Sequence, residues 1–115
     1  MARLYYLELP VADSGKSAAF YASAFGWAFT DYGPSYAATT SGDTDIGLDA
    51  DVEHRVKAPL PVIDTNDLEA SLAAVIAAGG AIAVPIFAFP GGRRFHFIDP
   101  DGHELAVSQA DVAPE

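Results

Sequence analysis

Two residues of this chain have side chains suited to proton transfer, Glu8 and His96. Glu8 interrupts an otherwise apolar stretch, where a carboxylate needs a hydrogen-bonding or charged partner. We interpret it as a general base, or as a group that binds a cation or hydroxyl of a ligand. The structural alternative is a salt bridge to Arg94 or a hydrogen bond to Tyr6. Imidazole transfers protons near neutral pH, so His96 beside Glu8 would suit an isomerase or lyase; its alternative is a hydrogen bond to water or a backbone carbonyl.

Further side chains are expected around this pair. Arg93 and Arg94 would clamp a carboxylate or phosphate, although one of two adjacent arginines often faces solvent. Trp27 would stack on a ligand, with core packing as the alternative, and Phe87 and Phe89 are expected at the mouth of the site. The predicted ligand-binding set consists of Tyr6, Glu8, Trp27, Phe87, Phe89, Arg94, His96 and Glu104. Within it, His96 and Glu8 are the candidate catalytic residues.

The elements that must position these residues occur twice. Residues 9–13 read Leu-Pro-Val-Ala-Asp and residues 60–64 read Leu-Pro-Val-Ile-Asp, and a small-residue stretch typical of a helix follows each. Segments punctuated by Gly and Pro, typical of strands, come next in both copies. A duplicated unit must pair its two halves to bury its apolar faces. Two curved half-sheets that face each other leave a cleft, and we place the predicted site there.

The expected order of elements is therefore βαβββ, twice, within a single domain of residues 1–115. Module 1 covers about residues 3–49, a charged connector about 50–58, and module 2 about 59–109. Asp13 or Ser14 is expected to cap the first helix, and Asn66 with Glu69 to form a capping box for the second. The paths of residues 33–43 and 85–92, which shape the site, do not follow from the pattern.

Composition restricts the classes of function. The chain has 16 acidic residues against 6 Lys and Arg, a formal net charge of −10, which disfavours nucleic acid and anionic membranes as partners. This acidity fits a cationic ligand, and it also fits solubility alone. With no cysteine there is no thiolate ligand or cysteine nucleophile. No apolar stretch is long enough to span a bilayer and no secretory signal is recognisable, so the cytoplasm is the expected compartment.

Several short motifs follow the predicted elements in order. They are Phe20-Tyr21, Phe25-Gly26-Trp27, Ala78-Gly79-Gly80 and the closing Phe97-Ile98-Asp99-Pro100-Asp101-Gly102-His103. Over about residues 3–109 the chain resembles the vicinal oxygen chelate superfamily, which includes glyoxalase I, extradiol dioxygenases, fosfomycin-resistance transferases and bleomycin-binding proteins. The resemblance implies an α+β fold of two tandem βαβββ modules with a cleft between curved mixed sheets. It implies less about function, because this scaffold hosts unrelated chemistries.

Enzymes of that superfamily typically hold a divalent metal with His and Glu from both modules. The positions matching those ligands are Tyr6, Ala106 and one of Lys57, Pro59 or Leu60. Such metals need imidazole or carboxylate donors, so we expect the usual metal site to be lost and no cofactor to be bound. A site relocated to Glu8, His96 and Glu104 is the alternative.

Three functions stay open at this point. The favoured one is a protein that binds a small cationic or aromatic molecule in the cleft, without the usual metal. The second is a metal-independent isomerase or lyase that uses His96 and Glu8. The third is a glyoxalase-like metalloenzyme with relocated ligands. Relatives of this length are commonly homodimers, so we also expect a C2 homodimer, with modules paired within a chain or exchanged between chains.

Overall fold

A computed structural model describes residues 2–111, and its elements confirm the α+β class and the two tandem βαβββ modules. Module 1 consists of β1 (Arg3–Pro10), α1 (Ser14–Phe25), β2 (Thr30–Asp31), β3 (Tyr36–Ala38) and β4 (Asp45–Asp49). Module 2 consists of β5 (Leu60–Asp64), α2 (Leu68–Ala77), β6 (Ala81–Phe89), β7 (Gly92–Ile98) and β8 (Glu104–Ala110). By compactness, Tyr5–Leu60 forms one unit, and Pro61 onward forms the other together with the residues ahead of Tyr5.

The strands of module 1 lie in the order β2-β3-β4-β1. β1 and β4 run parallel, with Leu7 beside Ile46 and Glu8 beside Gly47. β3 pairs antiparallel with both β2 and β4. Because side chains alternate along a strand, Tyr6 and Glu8 share one face of β1 and Leu7 lies on the other. This alternation divides module 1 into a polar face and an apolar face.

Helix α1 begins and ends as its sequence predicts. The Asp13 side chain accepts a hydrogen bond from the backbone N–H of Lys16 at 3.0 Å, which satisfies one of the unpaired donors of the first turn. At the other end Gly26 adopts the left-handed conformation, with φ of 73°, which glycine reaches without strain. The helix nevertheless leaves Phe20 and Phe25 more than half exposed.

The strands of module 2 lie in the order β5-β8-β7-β6, with β6 at the edge. β5 pairs parallel with β8, and β7 pairs antiparallel with β8 and β6. The register of β6 on β7 shifts twice between Ile82 and Phe87, around Pro85, because proline has no N–H to donate to the ladder. The residues that follow, Phe87 to Phe89, return to regular pairing with β7.

The predicted cap of α2 is corrected by the structure. The helix is capped by Asp67, whose side chain accepts from Ala70 N at 3.0 Å, and not by a box of Asn66 and Glu69. The Glu69 carboxylate is engaged by the guanidinium of Arg93 at 2.7 Å, so it does not reach back to the helix start.

The core of module 2 lies between α2 and one face of its sheet. Leu68, Phe95 and Val107 are buried there, with partly buried apolar side chains around them. Since Phe95 points to this core, alternation places Arg94 and His96 on the opposite face of β7. Among the described residues, no helix is long and apolar enough to cross a membrane.

Candidate functional site

The polar face of module 1 carries a hydrogen-bonded chain of three side chains. The Tyr36 hydroxyl donates to Glu8 Oε1 at 3.2 Å, and the hydroxyls of Tyr36 and Tyr6 lie 2.5 Å apart. Glu8 is only 4% exposed. A phenol that donates to Glu8 is that of Tyr36, which the sequence analysis did not single out. A carboxylate that is this deeply buried has at least one strong donor on its own module.

Gly47 makes room for this chain. A Cβ atom at position 47 would lie 2.1 Å from the hydroxyl oxygens of both Tyr6 and Tyr36, well inside contact distance. Glycine within a strand often marks the close approach of another group, and here that group is a pair of phenols. In the sequence, the glycine between Ile46 and Leu48 was a sign of such an approach. The strands around it are too short for the sequence pattern to identify Tyr36 as the approaching residue.

Both phenols of the chain stay protonated over the ordinary pH range. Burial raises the pKa of Tyr6 to about 12; the hydrogen bond with Tyr36 lowers it only in part, and the negative charge of Glu8 raises it further. For Tyr36, burial and then the charge of Glu8 raise the pKa far above its usual value. The two hydroxyls therefore present hydrogen-bond donors beside a carboxylate, and neither is prepared to act as a phenolate base.

Module 2 carries a second polar group, a histidine paired with a carboxylate. His96 is 4% exposed, and its Nδ1 lies 2.7 Å from Glu104 Oε2. With an ionised carboxylate as its partner, Nδ1 carries the hydrogen, and Nε2 of a neutral ring then holds a lone pair. Nε2 is buried and has no hydrogen-bond partner among the described residues. Buried polar atoms of this kind are uncommon and call for a bound group to complete them.

Aromatic rings and a guanidinium flank His96 in the same module. The ring of Phe87 lies 5.9 Å from that of His96, centroid to centroid. The guanidinium carbon of Arg94 lies 5.5 Å from the centre of Phe87 and 5.7 Å from that of Phe89, within the range of cation–π attraction. Five of the predicted residues thus gather on one face of module 2: Phe87, Phe89, Arg94, His96 and Glu104.

Trp27 does not lie with Tyr6 and Glu8. It lines a cavity of about 540 Å³ in module 1, whose other lining residues include Leu7 and Ile46. The lining includes none of Tyr6, Glu8 and Tyr36, although it includes Asp45, the register partner of Tyr6. The indole also stacks on Tyr21, with ring centres 5.7 Å apart and planes within 11°. Within module 1, nothing therefore supports the expectation that Trp27 contacts the same ligand as Tyr6 and Glu8.

A divalent metal ion would need a group of imidazole and carboxylate ligands. Among residues 2–111 no group of three or more His, Asp and Glu side chains is arranged to hold a metal ion. The positions that correspond to ligands in related enzymes hold a phenol at Tyr6, which bonds to Tyr36, and a buried methyl group at Ala106. Leu60, one candidate for the third position, is buried and apolar. These side chains do not fit a divalent cation.

Solved structures share the fold of this chain. A glyoxalase/bleomycin resistance protein/dioxygenase superfamily member from Vibrio splendidus 12B01 is 19% identical, with a TM-score of 0.69 over 96% of this chain and 100% of that one. A structure described as NAD-dependent benzaldehyde dehydrogenase from Legionella pneumophila is 19% identical, with a TM-score of 0.75 over 92% and 98%. Methylmalonyl-CoA epimerase from Mycobacterium tuberculosis is 13% identical, with a TM-score of 0.73 over 95% and 88%.

At these identities the likeness concerns the fold alone, and the different activities in those names do not transfer. A search of curated protein sequences finds no match. The sequence model of the Glyoxalase/Bleomycin resistance protein/Dioxygenase superfamily, however, matches residues 3–107, nearly the whole chain. This match agrees with the resemblance drawn from the motifs and with the βαβββ order of both modules. The chain therefore belongs to the Glyoxalase/Bleomycin resistance protein/Dioxygenase superfamily.

Proposed function

We propose that this protein binds a small organic molecule with an aromatic or cationic group, in the cleft that its duplicated modules are predicted to form, and without the usual metal. The observation that carries the proposal is the buried Nε2 of His96, which has no partner among the described residues. Glu104 fixes the ring, so Nε2 offers an acceptor to a hydroxyl or N–H of a ligand.

The surroundings of His96 support a ligand that is flat. Phe87 and Phe89 supply ring surface beside it, and Arg94 lies against both rings. In module 1, the chain of Tyr6, Tyr36 and Glu8 offers a buried carboxylate together with phenol donors. Aromatic walls with a few fixed polar groups are typical of small-molecule sites. The net charge of −10 favours a cationic over an anionic ligand at long range.

The test is a thermal-shift screen of tag-free protein against planar aromatic amines, quaternary ammonium compounds and bleomycin, followed by calorimetric titration of each stabilising compound. We expect His96→Ala and Glu8→Gln to lower the affinity for the same compound. His54→Ala, which alters an exposed histidine, is expected to leave that affinity unchanged. A screen without any stabilising compound would contradict the proposal, as would affinities that ignore both His96→Ala and Glu8→Gln.

A metal-independent isomerase or lyase is a second candidate, supported by the 2.7 Å contact of His96 with Glu104. A carboxylate on Nδ1 orients an imidazole and strengthens Nε2 as a base, the role required for removal of a proton next to a carbonyl. The test is exchange of such protons in heavy water, with 2-oxoacids and acyl thioesters as probes. Exchange that His96→Ala abolishes while the affinity for the probe is kept would replace the binding proposal with this one.

The absence of the usual metal is part of the proposal and has its own measurement. Protein purified without chelator is analysed for metal, before and after incubation with Mn²⁺, Zn²⁺, Ni²⁺ and Fe²⁺. We expect no stoichiometric metal. Retained metal that is lost on Glu8→Ala or His96→Ala would restore the third function, a metalloenzyme whose ligands are Glu8, His96 and Glu104.

We further propose that the protein is a C2 homodimer in the cytoplasm. Phe20 is 62% exposed and Phe25 61% exposed, and several large apolar groups exposed on one helix often mark an interface. Sedimentation equilibrium is expected to give twice the 12.0 kDa chain mass, and Phe20→Ser with Phe25→Ser is expected to weaken association. A monomer at micromolar concentration would refute the dimer.

A further inference from the structure

The cavity of module 1 that contains Trp27 is lined by none of the residues that surround His96 in module 2. Its floor is formed by Leu7 of β1 and Ile46 of β4, which are register partners. One side is lined by Trp27 and Ala28, just after α1, and the other by Thr39, Thr40, Ser41, Thr44 and Asp45, from the end of β3 to the start of β4. Tyr6 and Glu8 point to the opposite face of β1. A volume of about 540 Å³ is within the range of sites that hold small organic molecules.

The wall at residues 39–45 is held in one conformation by a single carboxylate. Asp45 Oδ1 accepts from Thr39 Oγ1 at 2.7 Å and from Ser41 N at 2.8 Å, and Oδ2 accepts from Gly42 N at 3.1 Å. Thr39 Oγ1 in turn accepts from Ile46 N at 3.1 Å. The loop is therefore tied to the strand that forms the floor. A wall fixed in this way does not have to be ordered when a ligand binds.

The same carboxylate is the charged group among the residues that line the cavity. Burial acts to raise the pKa of Asp45, but the hydrogen bonds from Thr39, Ser41 and Gly42 outweigh it and hold the pKa below its usual value. Asp45 thus stays ionised at neutral pH. Around it, residues 5–60 contain eight acidic side chains against three Lys and Arg, so the field at the cavity is negative.

We infer that this cavity is a second binding site, independent of the His96 site, which takes a planar aromatic cation. The ring of the ligand would lie against Trp27, which is 42% exposed and whose indole already stacks on Tyr21. The ligand would cover the side chain of Leu7, which is 36% exposed, and displace water from it. The cationic group of the ligand would lie toward Asp45. Indole is the strongest cation–π partner among the side chains, so the ring and the carboxylate favour the same class of ligand.

The single tryptophan of the chain makes this site directly observable. Its indole N–H gives one cross-peak in a ¹⁵N–¹H correlation spectrum, which can be followed during a titration with 2-naphthylmethylammonium. 2-Naphthalenemethanol and 2-naphthoate serve as the neutral and anionic probes with the same ring system. We expect saturable movement of the indole peak, strongest for the ammonium probe and absent for the naphthoate.

Two variants separate the charge from the space. Asp45→Asn is expected to lower the affinity for the ammonium probe about tenfold, because one close charge–charge contact is lost. The affinity for the neutral probe is expected to change less. Asp43→Asn removes a charge from the same loop outside the cavity lining and is the control for general electrostatics. Ala28→Leu places a larger side chain in the cavity lining and is expected to abolish binding, whereas Ala19→Leu on the exposed surface of α1 is not.

The inference is overturned if the indole peak does not respond, if naphthoate binds as well as the ammonium probe, or if Ala28→Leu binds normally. It is also overturned if His96→Ala abolishes the response, because the probe would then occupy the other site. Thermal denaturation of each variant checks that it folds, and Ala28→Leu decides the matter if Asp45→Asn does not. Failure here leaves the His96 proposal intact, since that proposal rests on different residues.

Discussion

The two modules share their order of elements but differ in what their helices bury. In module 2, α2 contributes Leu68 to a core with Phe95 and Val107, and Leu68 and Phe95 have no exposed surface. In module 1, α1 leaves Phe20 62% and Phe25 61% exposed. The duplicated motif therefore accounts for the shared order of elements, whereas the packing of the helix differs between the two modules. Module 2 has the better-packed helix, and module 1 keeps apolar surface open for a ligand or a second chain.

The largest expected effect tests this difference in packing. Phe95→Ala is expected to lower the free energy of unfolding by about 3–5 kcal/mol, because it removes a fully buried ring and leaves a cavity. Phe25→Ala, the matched change in module 1, is expected to cost less than about 0.5 kcal/mol in a monomer. Urea denaturation followed by circular dichroism measures both. Equal losses in the two variants would show that Phe25 of α1 is packed as well as Phe95 of β7.

The next effect concerns the polar face of module 1. Gly47→Ala is expected to destabilise the protein by about 1–3 kcal/mol, because the added methyl group displaces the hydroxyls of Tyr6 and Tyr36. Gly15→Ala is the control: its Cβ would come no closer than 3.4 Å to a neighbour, and alanine favours a helix by up to about 1 kcal/mol. Thermal denaturation compares them. A Gly47→Ala protein as stable as the parent would mean that the phenols move aside freely.

Tyr36→Phe removes only the hydroxyl between Tyr6 and Glu8. We expect a loss of about 1–3 kcal/mol, because the buried carboxylate loses a donor. Tyr32→Phe, which alters a 57% exposed phenol, should be close to neutral. Chemical denaturation at neutral pH gives both values. If the two variants lose the same amount, the hydroxyl of Tyr36 does not stabilise the buried Glu8.

Alkaline pH should have a smaller effect on stability, through the raised pKa of Tyr6 in module 1. The pKa of Tyr6 is raised from 10.0 to about 12, so between these values the unfolded chain loses a proton that the folded protein keeps. Stability from this group is complete below pH 10 and declines as the pH rises toward 12. Tyr6→Phe should make the fall in stability over this interval shallower. An unchanged slope would count against the burial of the phenol.

The smallest expected effect is on the surface of module 2. Arg93 Nη1 lies 2.7 Å from Glu69 Oε2, and this contact lowers the pKa of Glu69. Such a carboxylate contributes stability above its normal pKa and loses it as the pH falls, but both side chains are well exposed and screened by salt. Glu69→Gln should therefore change the midpoint of urea denaturation only slightly, and this small change should decrease further in high salt. A large, salt-independent change would show that the pair is structurally important.

Much of the fold could be predicted because its signals are local. The repeated Leu-Pro-Val-x-Asp motif and the Gly- and Pro-punctuated segments after each copy predicted the βαβββ order, and Asp13 was one of the two residues predicted to cap α1. The capping box at Asn66 was wrong because the neighbouring Asp67 competes for the same N–H groups and Arg93 holds Glu69.

The site was predictable only in part, because its contacts join residues far apart in the chain. Nothing local to Tyr36 in its three-residue strand indicates that its hydroxyl reaches Glu8, 28 positions earlier. The pairing of His96 with Glu104 crosses a hairpin, so alternation alone leaves it undecided. Trp27 was predicted to stack on a ligand or to pack in the core, and the sequence did not show that it lines a cavity together with Leu7. Whether the residues of the two modules share one ligand stays a proposal.

The edge strand of module 2 has a consequence for the behaviour of the protein in concentrated solution. β6 is nine residues long and contains no charged side chain, a composition that promotes intermolecular strand pairing and fibril formation. Pro85 and the two register shifts beside it interrupt the row of backbone groups that an incoming strand would use. A proline that looks like a defect in the sheet thus acts as protection against aggregation.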